Sequence, residues 1–101
     1  MFDRVNIAKN FAKAIKSDNI NQIILFGSVA RGDDTEDSDI DVLIISPDTR
    51  IIQDKIDDEV VKVILETNQF ISAHLMTEEH FNKTRNLSFL RNVFKEGIII
   101  G

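Results

Sequence analysis

The chain of 101 residues is 43 % hydrophobic and 29 % charged, which is typical of one globular domain. It has no cysteine, which excludes disulfides and thiol chemistry, and no apolar run near the roughly 20 residues that cross a bilayer. Residues 1–7 carry charges and no apolar signal-peptide core. We therefore expect a cytoplasmic protein without membrane contact, whose single domain spans residues 1–101.

The formal net charge of −5 is unevenly distributed along the chain. Residues 32–49 contain seven acidic side chains and no Lys or Arg, so the remainder of the chain carries a net charge of +2. Nucleic-acid binding usually requires a stronger basic stripe than this remainder offers. The charge pattern therefore predicts a mildly basic body with one acidic loop, and no nucleic-acid partner.

An amphipathic helix is predicted over residues 3–17, because apolar side chains recur there at helical spacing. Lys9, Lys13 and Lys16 lie on another side of this helix. A row of lysines can face a triphosphate, but such rows on surface helices are usually only solvated, and we expect solvation here.

Two buried strands are predicted next, over residues 20–26 and 40–45, which are apolar apart from a few positions. Gly27 ends the first strand and, having no Cβ, lets another group approach the backbone closely. Ser28 then offers a hydroxyl and an N–H before a short helical turn over residues 29–31. The N-terminus of such a turn is a suitable seat for phosphate.

Asp39 and Asp41 stand two residues apart at the start of the second strand, so we expect both carboxylates on one face. Because no cation lies in the surrounding stretch, we expect nothing local to relieve their repulsion. Mg²⁺ suits such a pair, since it binds one or two carboxylates together with waters and substrate phosphates. The residues from Gly27 to Asp41 therefore predict a site for a metal and a nucleotide.

The second half of the chain continues the alternation of helix and strand. A turn at residues 46–48 contains Pro47, and the apolar stripe after it predicts a helix over residues 49–66. A strand over residues 70–76 follows, and Thr77 is placed to cap a helix over residues 78–86. A last helix is predicted over 88–96, with Gly97 at its C′ position and residues 98–100 as a short strand or an interface segment.

Ser72 and His74 share one face of the predicted strand at residues 70–76. His74 is able to act as a metal ligand or a proton acceptor, because imidazole titrates near neutral pH. The reading that we favour is a histidine hydrogen-bonded to a neighbouring side chain.

The acidic loop does not fit two other interpretations. A calcium loop that starts at Asp37 is excluded, because its sixth position is Val42, where the sharp turn needs glycine. A merely solvated acidic loop does not account for the Gly-Ser turn together with the flanking strands.

Gly27-Ser28, ten further residues and Asp39-Ile40-Asp41 resemble the G-S-x10-D-x-D signature of the DNA polymerase β-like nucleotidyltransferase superfamily. The stretch G-S-V-A-R-G-D-x4-S-D-I-D resembles its minimal nucleotidyltransferase (MNT) branch, and the ending S-F-L-R-N-V-F-K-E-G is similar to that branch as well. The resemblance implies an α/β (α+β) fold, with a small mixed β-sheet and helices packed on it.

The resemblance also implies a Mg²⁺-dependent transfer of AMP from ATP to an acceptor hydroxyl, with pyrophosphate leaving. Asp39 and Asp41 would then hold Mg²⁺, and Gly27 and Ser28 would seat the β- and γ-phosphates. Arg31 would add charge to the phosphates or stabilise the acidic loop. Many members of the superfamily place a third carboxylate on the adjacent strand, where this chain has only Ser72 and His74 as polar candidates.

MNT proteins typically pair with a helical HEPN protein, and in toxin–antitoxin examples the MNT member is the antitoxin that adenylylates its partner. The resemblance therefore implies a HEPN-type partner. Self-association is the other expectation, because a chain of this length has no room for an acceptor-binding domain. The alternative function is a non-catalytic subunit that keeps the nucleotide fold and acts by binding a partner.

Overall fold

Helices and strands alternate along the chain, and a computed structural model describes them for residues 3–101. Met1 and Phe2 belong to the opening that was expected to lack a signal-peptide core, and they lie outside the described residues. In chain order the elements are α1 (Arg4–Ile15), β1 (Gln22–Phe26), α2 (Gly27–Arg31), β2 (Ile40–Ser46), α3 (Thr49–Thr67), β3 (Ile71–Thr77), α4 (Glu78–Thr84), α5 (Ser88–Glu96) and β4 (Ile98–Ile99).

The strands form one mixed sheet in the order β3-β2-β1-β4. β1 pairs antiparallel with both β2 and β4, whereas β2 and β3 are parallel. A parallel pair needs a crossover between its strands, and α3 provides it. The predicted fold class, a mixed sheet with helices packed on it, is confirmed.

Each face of the sheet is covered by different helices, because side chains alternate between the two faces along a strand. On the first face, Ile23, Leu25, Val42 and Ile44 form one cluster with buried residues of α1 and α3. On the second face, Ile24, Leu43 and Ile45 pack against Leu90 and Val93 of α5. The predicted apolar stripes of α1 and α3 therefore pack on the sheet, whereas in α5 only Leu90 and Val93 do so, and Phe89 and Phe94 remain exposed.

The first helix is shorter than the predicted range of residues 3–17. The Asp3 carboxylate accepts hydrogen bonds from the N–H groups of Val5 and Asn6, so Asp3 caps the helix and does not belong to it. At the other end Lys16 already has an extended backbone, with φ −56° and ψ 131°.

Other boundaries shift by one or two residues. β1 begins at Gln22 instead of residue 20, and β3 covers Ile71–Thr77 instead of residues 70–76. β2 and α3 each extend one residue further than predicted. α4 ends at Thr84 instead of residue 86, because the Leu87 N–H donates to the Thr84 carbonyl at 2.9 Å and closes a turn.

Glycine is needed at position 97, after α5, but for a different reason than the predicted C′ role. Its backbone is extended, with φ −77° and ψ 161°, and needs no left-handed conformation. A Cβ at this position would collide with the Val93 carbonyl oxygen and lie 2.8 Å from Ile24 Cγ2. Glycine is therefore required by the close approach of the chain to β1, where β4 then pairs.

Within residues 3–101, no helix is both long enough and apolar enough to span a lipid bilayer.

Candidate functional site

Gly27 joins β1 directly to α2. The prediction that Gly27 ends the strand is confirmed, since β1 stops at Phe26, and the predicted turn over residues 29–31 belongs to a short helix that already begins at Gly27. The glycine has φ +74°, a conformation that L side chains rarely adopt. Within the described chain no side chain caps the first N–H groups of α2, so those of Gly27 and Ser28 remain available to an anion.

Asp41 lies against Gly27 across the sheet. Antiparallel pairing of β1 and β2 places Phe26 opposite Asp41. A Cβ at position 27 would collide with Asp41 Oδ2 and lie 3.2 Å from Asp41 Cγ. The absence of this one carbon therefore lets the carboxylate and the Gly-Ser turn meet at the same end of the sheet.

Asp39 lies immediately before the first residue of β2, and its side chain is exposed. Asp41 lies within β2, and 30 % of its side chain is exposed. Among residues 3–101, no Lys or Arg stands within ion-pair distance of either carboxylate. The predicted lack of a neutralising cation therefore holds for this pair of acids.

Other acids of residues 32–49 do have a neutralising cation, contrary to the expectation that this stretch lacks one. Arg4 of α1 pairs with Asp34 at 2.7 Å, and Arg31 of α2 pairs with Asp33 at 3.2 Å. Arg50 pairs with Asp48 at 2.9 Å, and its hydrogen bond lowers the pKa of Asp48. Arg31 and Arg50 flank the stretch in sequence and pair with acids two residues away, whereas Arg4 reaches it only in the folded chain.

Ser72 and His74 lie on the strand beside Asp41. Parallel pairing of β2 and β3 places Ser72 opposite Asp41. His74 Nε2 is 3.2 Å from the Ser72 hydroxyl and 3.7 Å from Asp41 Oδ1, and the imidazole ring also contacts Phe26. His74 is thus bonded to a neighbouring side chain, as the favoured interpretation expected, and it also adjoins the Asp41 carboxylate.

A third carboxylate next to the aspartate pair is not found in the part of the chain that the structure describes. Across residues 3–101, no group of three His, Cys, Asp or Glu side chains is arranged to hold a metal ion. Asp39 and Asp41 nevertheless offer the hard oxygen donors that Mg²⁺ prefers, and Mg²⁺ commonly takes only one or two protein carboxylates. The donor set therefore fits Mg²⁺ that shares its remaining positions with phosphates and water.

Arg31 connects three elements around Gly27. Its guanidinium contacts Asp33 Oδ2 at 3.2 Å and Glu96 Oε2 of α5 at 3.3 Å. The hydrogen bond with Asp33, followed by that with Glu96, raises the pKa of Arg31. Of the two roles considered for Arg31, these contacts correspond to stabilisation of the acidic loop.

A groove of about 430 Å³ opens beside Gly27, between α2 and α5. Its lining residues are Phe26, Gly27, Arg31, Phe89, Asn92, Val93 and Glu96. Phe89 is half-exposed and meets Phe26 edge to face, with 5.7 Å between the ring centroids. This groove was not predictable from the sequence, since the apolar spacing of α5 predicts only packing.

The Gly-Ser turn that follows β1 thus lies beside an aspartate of the antiparallel strand β2, and both belong to the motif that resembles nucleotidyltransferases. The family model for the nucleotidyltransferase domain matches residues 8–100, and the chain belongs to this family. The resemblance that the motif indicated is thereby confirmed.

Two proteins of Methanocaldococcus jannaschii are similar over nearly the whole chain. "Putative protein adenylyltransferase MJ0604" is 45 % identical over 95 residues, which are 91 % of this chain and 92 % of that protein. "Putative protein adenylyltransferase MJ0141" is 32 % identical over 99 residues, which are 93 % of this chain and 95 % of that protein.

Two solved structures share the fold. A crystal structure of a toxin-antitoxin with AMP-PNP matches with a TM-score of 0.60 and 18 % identity, over 95 % of this chain and 71 % of that one. The crystal structure of a "putative nucleotidyltransferase from Sulfolobus solfataricus" matches with a TM-score of 0.54 and 18 % identity, over 96 % of this chain and 81 % of that one. At this identity the two matches establish the fold alone.

Proposed function

We propose that this nucleotidyltransferase uses Mg²⁺ to transfer AMP from ATP to a hydroxyl group on a protein. The observation that supports the proposal is the contact between Gly27 and Asp41, the two residues to which we assign phosphate binding and metal binding. The names of the two relatives, both protein adenylyltransferases, support AMP as the transferred group and a protein as the acceptor.

In this proposal the residues of the motif divide into groups with different tasks. The N–H groups of Gly27 and Ser28 would hold the β- and γ-phosphates, and Asp39 and Asp41 would hold Mg²⁺. Bound Mg²⁺ would supply neutralising charge to the triphosphate. Arg31 keeps the acidic loop and α5 close to Gly27 through its two ion pairs. The groove between α2 and α5 receives the adenosine, and Phe89 offers it an aromatic surface.

The reaction is an in-line displacement at the α-phosphorus of ATP. The acceptor oxygen forms a bond to this phosphorus and releases its proton to water. The bond between the α-phosphorus and the bridging oxygen of the β-phosphate breaks, and pyrophosphate leaves with that electron pair. In such phosphoryl chemistry the protein contributes mainly by positioning groups and balancing charge.

The acceptor hydroxyl belongs, in this proposal, to a helical HEPN-type partner or to a second copy of the chain. The described domain has no lobe beyond the single sheet and its helices to bind an acceptor. The toxin-antitoxin structure with the same fold supports a partner protein. Because the chain contains no tyrosine, AMP on a tyrosine would have to sit on another protein.

The test is incubation with labelled ATP and Mg²⁺, with and without a candidate HEPN-type protein. We expect pyrophosphate release and a mass increase of one AMP on the acceptor. Asp39→Asn and Asp41→Asn should each lower this transfer about 100-fold or more, because Mg²⁺ loses a ligand. Their far-ultraviolet circular dichroism should remain that of the parent chain.

Asp37→Asn is the matched control, because Asp37 is an exposed acid of the same loop that joins no ion pair among residues 3–101. It should transfer AMP at the parent rate. Full turnover in either Asp39→Asn or Asp41→Asn would overturn the site assignment. Nucleotide binding and partner binding without transfer would instead establish the non-catalytic alternative.

A further inference from the structure

Arg4, in the first turn of α1, holds the acidic loop of residues 33–39, which lies about 30 residues further along the chain. Its guanidinium donates to Asp34 Oδ2 at 2.7 Å and to the carbonyl oxygens of Thr35 and Glu36. Its Nε donates to Gln69 Oε1 at 2.9 Å. Only 14 % of the Arg4 side chain is exposed. A planar fork with five donors is suited to such a set of acceptors, and a lysine ammonium is not.

In the loop, Arg4 bonds the turn over residues 35–38, which immediately precedes Asp39. The Ser38 N–H donates to the Thr35 carbonyl at 3.0 Å, and the Thr35 N–H donates to the Ser38 hydroxyl at 2.9 Å. Arg4 bonds the same Thr35 carbonyl, so it secures the turn whose last residue adjoins Asp39.

Gln69, which Arg4 also bonds, immediately precedes the residue that bonds the backbone after Asp39. The Ile40 N–H donates to the Phe70 carbonyl at 3.0 Å, and Phe70 directly follows Gln69. Arg4 thereby joins the two segments that hold the backbone on either side of Asp39.

Asp39 depends on these backbone contacts for its position. Its side chain is exposed, and within residues 3–101 it has no ion-pair partner. We propose that Arg4 is a positioning residue that orders the acidic loop and sets Asp39 for metal binding, without itself touching the nucleotide. The proposal rests on the proposed function, because it takes Asp39 as a ligand of Mg²⁺.

The first experiment measures hydrogen exchange of the loop amides in Arg4→Gln and Arg4→Lys. Loss of charge-assisted hydrogen bonds should let the amides of Thr35 and Ser38 exchange about tenfold faster or more in Arg4→Gln. Arg4→Lys, which keeps a charge without the fork, should fall between this variant and the parent chain. Thermal unfolding verifies that both variants are folded at the temperature used.

Arg50→Gln is the matched control for loss of an arginine that pairs with an acid. Arg50 is bonded to Asp48, which lies outside the loop of residues 33–39, and the Arg50 side chain is 90 % exposed. The control should leave exchange of the loop amides unchanged. Unchanged exchange in Arg4→Gln as well would overturn the proposal.

The second experiment measures binding of Mn²⁺ alone by electron paramagnetic resonance, and the Mg²⁺ dependence of AMP transfer. In Arg4→Gln we expect Mn²⁺ affinity about tenfold lower, as measured for groups that orient metal ligands. Transfer should approach the parent rate again at saturating Mg²⁺. Faster loop exchange with unaltered Mn²⁺ affinity would show a purely structural role and would refute the positioning of Asp39.

Failure of the proposed function is distinguishable from failure of this inference. If the parent chain bound neither Mn²⁺ nor Mg²⁺-ATP, the proposed function and the metal-positioning role would both fall. The exchange measurement would still decide, independently, whether Arg4 orders the loop.

Discussion

Two glycines of the motif have left-handed backbones, yet their surroundings differ. Gly27 has φ +74° and Gly32 has φ +80°. A Cβ on Gly27 would collide with the Asp41 carboxylate, whereas a Cβ on Gly32 would meet no atom within 4 Å. Gly32 is thus required only by the conformation of the chain after α2, and Gly27 is required by the site as well.

This contrast separates backbone strain from damage to the site. Gly27→Ala and Gly32→Ala should each lose about 1–2 kcal/mol of stability, because alanine is strained at positive φ. Only Gly27→Ala should also displace Asp41 and lower AMP transfer, by about 100-fold. Urea unfolding and the transfer assay, run on both variants, measure the two effects. Equal activity of the two variants would show that the contact between positions 27 and 41 is irrelevant to catalysis.

At the level of single residues, the sequence could predict the motif but not its supports. The motif spans only 15 residues and can be recognised from the spacing of its members, Gly27, Ser28, Asp39 and Asp41. Arg4 is unrecognisable in the sequence, because its acceptors are 30 to 65 residues away. Phe89 reads as one more apolar residue of α5, and only the folded chain places it at the groove.

Among the helices, α3 carries a carboxylate on its buried side. Glu59 is nearly buried and accepts hydrogen bonds from Lys55 and Lys62, each at 3.2 Å. Burial raises the pKa of Glu59, but the two lysines outweigh it and hold this pKa below its ordinary value. The pairs span three and four residues of one helix, which is the spacing that brings side chains together.

The lowered pKa makes the contribution of Glu59 dependent on pH. The stability that ionised Glu59 contributes is fully present above the ordinary Glu pKa of about 4.3. This stability is lost as the pH falls through the lower pKa that Glu59 has in the folded state. Glu59→Gln should therefore cost about 0.5–1 kcal/mol at pH 7, since the lysines are half-exposed, and almost nothing near pH 3. Urea unfolding at the two pH values measures this difference.

Glu66→Gln provides the comparison on the same helix. Glu66 is exposed and has no ion-pair partner among the described residues 3–101. Its substitution should leave stability nearly unchanged at both pH values. A pH-independent cost for Glu59→Gln would attribute the effect to packing instead of charge.

The longer helices and the inner strands were predictable, because their apolar residues recur at a regular spacing or form continuous runs. The stripe at Ile52 and Ile56 indicates α3, and both side chains are buried as expected. Element ends were less predictable, since caps and turns decide them. Asp3 caps α1 instead of joining it, and Gly97 is required by Ile24 and the Val93 carbonyl, neither of which the local sequence shows.

For the whole molecule, the last five residues protect an edge of the sheet. Ile98 and Ile99 pair with β1, and the Ile100 N–H donates to the Ile23 carbonyl at 2.9 Å. Without this segment β1 would present unpaired backbone groups along an apolar strand, which is a template for pairing with another chain.

Deletion of residues 97–101 should therefore lower the unfolding temperature by about 5–10 °C and increase self-association relative to the intact chain. Differential scanning calorimetry and analytical ultracentrifugation measure the two effects. Ile99→Lys is the control, because it keeps the strand and places a charge at an exposed position. Identical sedimentation of the deleted and intact chains would contradict the protective role of β4.

The connections between strands also bear on the order in which the molecule folds. Phe26 and Asp41 are paired strand neighbours 15 residues apart in the chain, whereas Asp41 and Ser72 are 31 residues apart and joined through α3. Closing the shorter loop costs less entropy, so we expect β1 and β2 to pair first. The contact between Gly27 and Asp41 would then form early, and His74 would reach it only after the crossover helix had docked.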